Sequence, residues 1–143
     1  MGQVFHQLYY HLVWATKNRE PQLAAAVRPY VLEAIQDRCH RLGCRVHALN
    51  AVDDHVHLAL EIPPSRSISF VVGQVKGASS HAMNQFQPGS LHWQDGYGVV
   101  TFRHGELGKV VRYIDTQEER HRANALSPLL ETWNGTEGEE SDD

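Results

Sequence analysis

The chain predicts an α+β fold: an antiparallel sheet with helices on one face and one further helix near the C-terminal end. Three observations carry this. Apolar residues recur at spacings of three and four in three separate stretches, strand-like alternation marks four others, and two of those four are joined by an Asp-Asp turn.

Residues 4–16, "VFHQLYYHLVWAT", are rich in aromatic and β-branched types and predict the first strand. Leu8, Tyr10, Leu12 and Trp14 share one face, and Gln7, Tyr9 and His11 begin the other. After "KNREP", with Pro21 placed near a helix start, Leu23, Val27, Val31, Ile35, Cys39 and Leu42 predict an amphipathic helix over about 22–42. Gly43 stops it. Strands over about 45–52 and 55–62 form a hairpin that closes at "PPS". Helical spacing returns over 67–86, through Ile68, Val71, Val72, Val75, Ala78, Ser79 and Ala82. "QPGSLHWQDGYG" has the Gly, Pro and aromatic content of a structured loop, and "VVTFR" (99–103) predicts a short strand. A last helix is expected over about 106–122, with Leu107, Val110, Val111, Ile114 and His121 facing inward. The order β-α-β-β-α-β-α is that of a ferredoxin-like, or RRM-like, sheet with an added C-terminal helix. Such a sheet can leave one face open, and the fold alone implies no function.

The 143 residues suit a single domain over 1–128, followed by an acidic tail (129–143) that reads as disordered. Five of the seventeen acids lie in "EGEESDD" (137–143); without them twelve acids face thirteen Lys and Arg, so the remainder is close to neutral despite a net charge of −4. Composition therefore leaves nucleic acid open as a partner without pointing to it. No apolar run is long enough for a membrane span, and "MGQVFHQLYYHLVWATK" lacks a basic lead-in, which favours the cytoplasm. Cys39 and Cys44 cannot build a disulfide framework or a four-thiolate zinc site and read as buried free thiols.

In "AVDDHVHLAL" (51–60) strand alternation sends Val56, Leu58, Leu60 and Ile62 into the core and His55, His57, Ala59 and Glu61 onto the other, open face. Two imidazoles side by side are either a metal-binding pair or hydrogen-bonded surface histidines. In "VVRYIDTQEERH", Tyr113 and Gln117 lie one turn apart, on the flank of the apolar stripe with Lys109 and Arg120. They are either a functional pair or a half-exposed Tyr beside a solvated Gln.

"HVH" (55–57) followed by "YIDTQ" (113–117) resembles the single-tyrosine HUH transposases of the IS200/IS605 type. "YYHLVWATKNREP" (9–21), "DDHVHLALEIPPS" (53–65), "VVGQVKGASS" (71–80) and "WQDGYG" (93–98) extend the similarity over about residues 5–122, in order. Relatives often carry paired histidines soon after the Gln, where this chain has Arg120 and His121, and the acidic tail lies outside the family pattern.

The resemblance implies that Tyr113 attacks a phosphodiester of single-stranded DNA with hairpin ends. The phenol becomes joined to the 5′-phosphate, a 3′-OH is freed, and rejoining needs no ATP. It implies a divalent metal, Mg²⁺ or Mn²⁺, held by His55, His57 and Gln117, with Asp53 or Asp54 either lending a carboxylate or serving only the turn. It implies a homodimer in which each tyrosine helix completes the partner's site in trans. Lys76 is the candidate phosphate contact, weighed against a solvated helix charge. Gly77, Ser79 and Ser80 would allow close backbone approach, and Tyr9, His11, Trp93 and Tyr97 are either base-stacking or packing residues. Three other readings stand beside it, the first of which uses the same residues. They are a domesticated, REP-associated type of tyrosine nuclease acting on genomic hairpins, a non-catalytic RRM-like nucleic-acid-binding module, and a structural metal protein.

Overall fold

The computed structural model describes residues 2–117 and 119. In chain order the elements are β1 (Tyr9–Ala15), a short 3-10 turn at Lys17–Arg19, α1 (Arg28–Arg41), β2 (Arg45–Ala51), β3 (His55–Glu61), α2 (Ile68–Phe86), β4 (Gly98–Phe102), a second 3-10 turn at His104–Glu106, and α3 (Leu107–Asp115). The strands form one antiparallel sheet in the order β2-β3-β1-β4. The predicted α+β order is observed. Among the described residues no helix is long and apolar enough to cross a membrane.

The two sides of the sheet have different chemistry. Leu12, Trp14, Val56, Leu58 and Leu60 pack beneath α1 and α2, where Val31, Ile35, Val71, Val72 and Val75 complete the main core. The opposite side, expected to be open, is covered by α3. Val110 and Ile114 of that helix pack on Ala48 and Ala59, with Phe102 and Val111 at the margin.

Two element boundaries, and one point within the last predicted helix, differ from the sequence reading, each for a local reason. β1 begins at Tyr9 rather than Val4 because its neighbours end there: Tyr9 pairs with Glu61 and with Phe102, and Pro63 and Pro64 follow on the β3 side. Helix α1 begins at Arg28 rather than about 22, with Pro29 in its first turn, where a missing N–H costs nothing. The preceding stretch bonds elsewhere, Leu23 N–H to the Asp53 carbonyl and Arg28 Nε to the Leu23 carbonyl. A turn at Thr116 interrupts the helix expected over about 106–122: α3 runs to Asp115, Gln117 and Glu119 are again helical, and positions 118 and 120–122 lie outside the described residues. The Thr116 hydroxyl turns back to the Arg112 carbonyl at 2.7 Å, an i−4 bond that distorts helix geometry. Arg120, His121 and the acidic tail lie outside the described residues.

Gly43 ends α1 as expected. At φ +77° it takes the left-handed conformation, Gly43 N–H bonds the His40 carbonyl and Cys44 N–H the Cys39 carbonyl, the paired bonds of a Schellman motif. Ser67 caps α2 by accepting from Phe70 N–H at 3.1 Å. Cys39 and Cys44 are free and buried, and burial pushes the Cys39 thiol up to about 12.

Candidate active site

Register places three histidines under α3. Val13 faces His57 and Ala15 faces His55 across the β1–β3 ladder, while His11 faces Ala59. Because Ala59 is small, the His11 ring can lean along the ladder toward its diagonal neighbour. His11 Nε2 and His57 Nδ1 share a hydrogen bond at 2.9 Å, with ring centroids 5.1 Å apart. His55 stands edge-on to His57 at 5.0 Å, so the three imidazoles form a row. All three are buried, which corrects the expectation that the pair lies on an open face.

Each of the paired histidines has its Nδ1 engaged. His55 Nδ1 donates to Asp54 Oδ1 at 2.8 Å, and Asp54 also receives Arg19 Nη1 at 3.4 Å. Asp53 turns away and pairs with Arg28. Of the two acids before the histidines, one orients a ring and the other anchors the start of α1. An imidazole held at Nδ1 offers Nε2 to a metal, the usual arrangement of a histidine ligand. Among the described residues, no group of three or more His, Cys, Asp or Glu is arranged to hold a metal ion. The donor set expected from the sequence, the imidazoles of His55 and His57 with the carboxamide of Gln117, is of a different kind.

Helix α3 brings the tyrosine onto this row. The Tyr113 ring meets His57 edge-on, centroids 5.9 Å apart. Tyr113 is 2% exposed and Gln117 is fully buried, with its Nε2 donating to the Tyr113 carbonyl at 3.3 Å. This corrects their placement on the flank of the apolar stripe: both lie within the buried face. The stripe that α3 buries continues from Val110 through Tyr113 and Ile114 to Gln117, because the sheet beneath it offers polar side chains such as His57 and Asn50 beside the alanines. Asn50 of β2, paired with His57, adds to that surface by donating Nδ2 to the Ile114 carbonyl at 3.0 Å. Asn50 and the partnership of His11 with His57 are what the sequence reading missed. The parity of His11 on β1 was visible, but only strand pairing shows which residue lies diagonal to it.

Lys76 is not a solvated helix charge. Its ammonium donates to the carbonyls of Gln94 (2.8 Å) and Gly96 (2.7 Å), strapping the 93–96 loop to α2. Burial pulls its pKa down to about 8, against a partly offsetting Asp95 charge. That loop also bonds the end of β1, through Gln94 N–H to the Ala15 carbonyl, and so flanks the His55 end of the row. Ser79 is buried, donating to the Val75 carbonyl and accepting from Trp93 Nε1 at 3.1 Å. Trp93 packs on Trp14, and Tyr9 is buried with its hydroxyl 2.8 Å from His104 Nδ1. Of the residues considered for base stacking, His11, Tyr9 and Trp93 therefore have packing roles in this arrangement.

Residues 4–117 match the family described as "Transposase IS200 like". The chain belongs to that family. It is 29% identical over 122 residues to the ISDra2 transposase TnpA of Deinococcus radiodurans, covering 80% of this chain and 87% of that one. It is 31% identical over 121 residues to the IS200 transposase of Salmonella typhimurium, covering 79% and 78%. A crystal structure of a Deinococcus radiodurans transposase superposes with a TM-score of 0.65 at 30% identity, over 82% of this chain and 96% of that one. The fold is shared with a REP-associated tyrosine transposase bound to a REP hairpin, at a TM-score of 0.64 and 16% identity, over 93% and 80%. As a member of the IS200-like family, the chain is a DNA-binding transposase with the four-stranded α+β architecture of these relatives.

Proposed function

We propose that this transposase cleaves and rejoins single-stranded DNA through a covalent bond between Tyr113 and a 5′-phosphate. The observation that carries the reading is the contact of Tyr113 with His57, which puts a phenol against a pair of oriented imidazoles. Tyr113 Oη attacks phosphorus and loses its proton. The P–O3′ bond breaks, and the departing 3′ oxygen takes up a proton. The phosphotyrosine retains the bond energy, so a second 3′-OH can reverse the step on a new strand.

A phenol with a pKa near ~10 is a weak nucleophile at neutral pH. A divalent cation, Mg²⁺ or Mn²⁺, held by His55 Nε2, His57 Nε2 and the Gln117 amide oxygen would polarise the phosphate and offset charge on its oxygens. Asp54 holds the His55 ring, and the turn at Thr116 sets Gln117 relative to Tyr113. Lys76 contributes by fixing the 93–96 loop beside the row, where its positive charge favours a phosphate.

With Tyr113 this deeply covered, DNA reaches it only when α3 lifts from the sheet. The helix rests on a small apolar cluster and follows a three-residue turn, which suits exchange between two copies. In the homodimer proposed here, each Tyr113 and Gln117 serves the histidines of the partner copy. Substrates are single strands with hairpin ends, a reading supported by the hairpin-bound relative that shares the fold. The same chemistry would serve a domesticated nuclease acting on genomic hairpins, and copies of flanking hairpin ends in the genome separate the two. An RRM-like binding module would display paired aromatics on the central strands, where this sheet carries His11, His55 and His57.

The test is incubation with Mn²⁺ and labelled hairpin-containing single strands drawn from the flanks of the native locus. A denaturation-resistant adduct that disappears in Tyr113→Phe supports the assignment. Cleavage that persists in Tyr113→Phe would sink it.

A further inference from the structure

We infer that His11 is a positioning residue that fixes the tautomer and ring orientation of His57, so that Nε2 of His57 is presented as a ligand atom. The inference rests on the metal-assisted reading of the histidine pair. It adds a residue that lies on a different strand and is outside both sequence motifs of that reading.

A histidine can ligate through Nε2 only when that nitrogen is bare, which requires the proton to sit on Nδ1. Something must then accept the Nδ1–H, and ligand histidines are usually held by a carboxylate or a carbonyl. His55 has the expected partner in Asp54. His57 lies mid-strand, and the group at its Nδ1 is the Nε2 of His11, at 2.9 Å. Accepting from His57 requires a bare Nε2 on His11, so the neutral His11 ring carries its own proton on Nδ1.

The ladder explains why position 11 can do this. His11 pairs with Ala59 and not with His57, and the short Ala59 side chain leaves room for the imidazole to lean two residues along β3. Burial on all sides removes competing water from the bond. The rings lie within 30° of parallel, so rotation of His57 about its side chain costs both the bond and the ring contact. A neutral partner also leaves the site without an extra negative charge, which favours approach of a phosphate.

Two measurements on the intact protein test this. The first is a long-range ¹H–¹⁵N correlation on metal-free protein, which reports the tautomer of each histidine. His57 should be protonated at Nδ1 and bare at Nε2, and a wild-type His57 protonated at Nε2 would overturn the inference with no substitution made. The second is Mn²⁺ titration of wild type, His11→Phe, His11→Gln and His57→Ala, each checked for folding by circular dichroism. His11→Phe keeps the ring but removes the acceptor and should weaken Mn²⁺ binding by roughly ten- to a hundredfold. His11→Gln restores an acceptor near the Nε2 position and should bind within about threefold of wild type. If His11→Phe binds Mn²⁺ as wild type does while His57→Ala does not, His11 has no such role and the metal site stands. If wild type and His57→Ala bind alike, the metal reading itself fails and takes this inference with it. The wild-type tautomer remains decisive if His11→Phe disturbs folding.

Discussion

The ring of Tyr113 stands edge-on to the ring of His57, their centroids 5.9 Å apart and their planes at 77°. A residue from the last helix and one from the middle of the sheet, 56 positions apart in sequence, are thus in contact within one chain. Their side chains carry different parts of the proposed chemistry, so their substitutions should separate. Tyr113→Phe keeps the ring and the packing, and its unfolding free energy should stay within about 1 kcal/mol of wild type while adduct formation is lost. His57→Ala should lose both cleavage and Mn²⁺ binding, read by titration.

The proposed exchange of α3 predicts complementation. A Tyr113→Phe chain mixed with a His57→Ala chain would hold one composite site with an intact tyrosine and intact histidines. Adduct formation should reappear in the mixture, with either variant alone inactive. Absence of activity in a mixture shown to contain heterodimers would mean that each chain uses its own tyrosine.

Asp53 and Asp54 are adjacent and have opposite predicted weights. Asp54→Ala removes the acceptor of His55 Nδ1 and should weaken Mn²⁺ binding by roughly ten- to a hundredfold. Asp53→Ala removes an exposed pairing with Arg28 and should leave binding unchanged, shifting stability by under about 1 kcal/mol. Titration and thermal melts of the two variants check this.

Asn50→Ala should loosen α3, because Nδ2 of Asn50 is a hydrogen-bond anchor for the Ile114 carbonyl. A net loss of about 1 kcal/mol is expected, equivalent to roughly 4 °C in Tm. Amide exchange over Leu107–Asp115 should accelerate more than exchange in α1, since the bonds of Asn50 reach α3 and its own strand but not α1.

Lys76 gives the pH prediction. In the folded chain its proton leaves near pH 8, and in the unfolded chain near the ordinary 10.5. Between those values the unfolded state binds more protons, so stability rises with pH through this window. Relative to Lys76→Met, wild type should gain roughly 1 kcal/mol from pH 7.5 to 10.5, a figure discounted for solvent screening of a side chain that is only partly buried. Denaturant unfolding of both proteins across the range measures the slope, and equal slopes would refute the assignment.

The alternation of "HVHLALE" alone determined which side chains of β3 share a face, because a strand has period two and cannot hide it. Periodicity likewise placed α1 and α2, and Gly43 marked a helix end. The pairing of "HVH" with "YIDTQ" was enough to point to the transposase family. Tertiary structure decided what lies over the histidines. Hydrophobic patterning places Tyr113 and Gln117 on the flank of the apolar stripe, and that reasoning fails where part of a helix packs on polar side chains. There a tyrosine, a carboxamide and three imidazoles bury one another, with His11 bonded to His57, His55 held by Asp54, and Gln117 bonded to the Tyr113 carbonyl. Register decided the rest. Whether His11 meets His57 depends on which residue of β1 faces Ala59, and that is set by the pairing of two strands far apart in the chain.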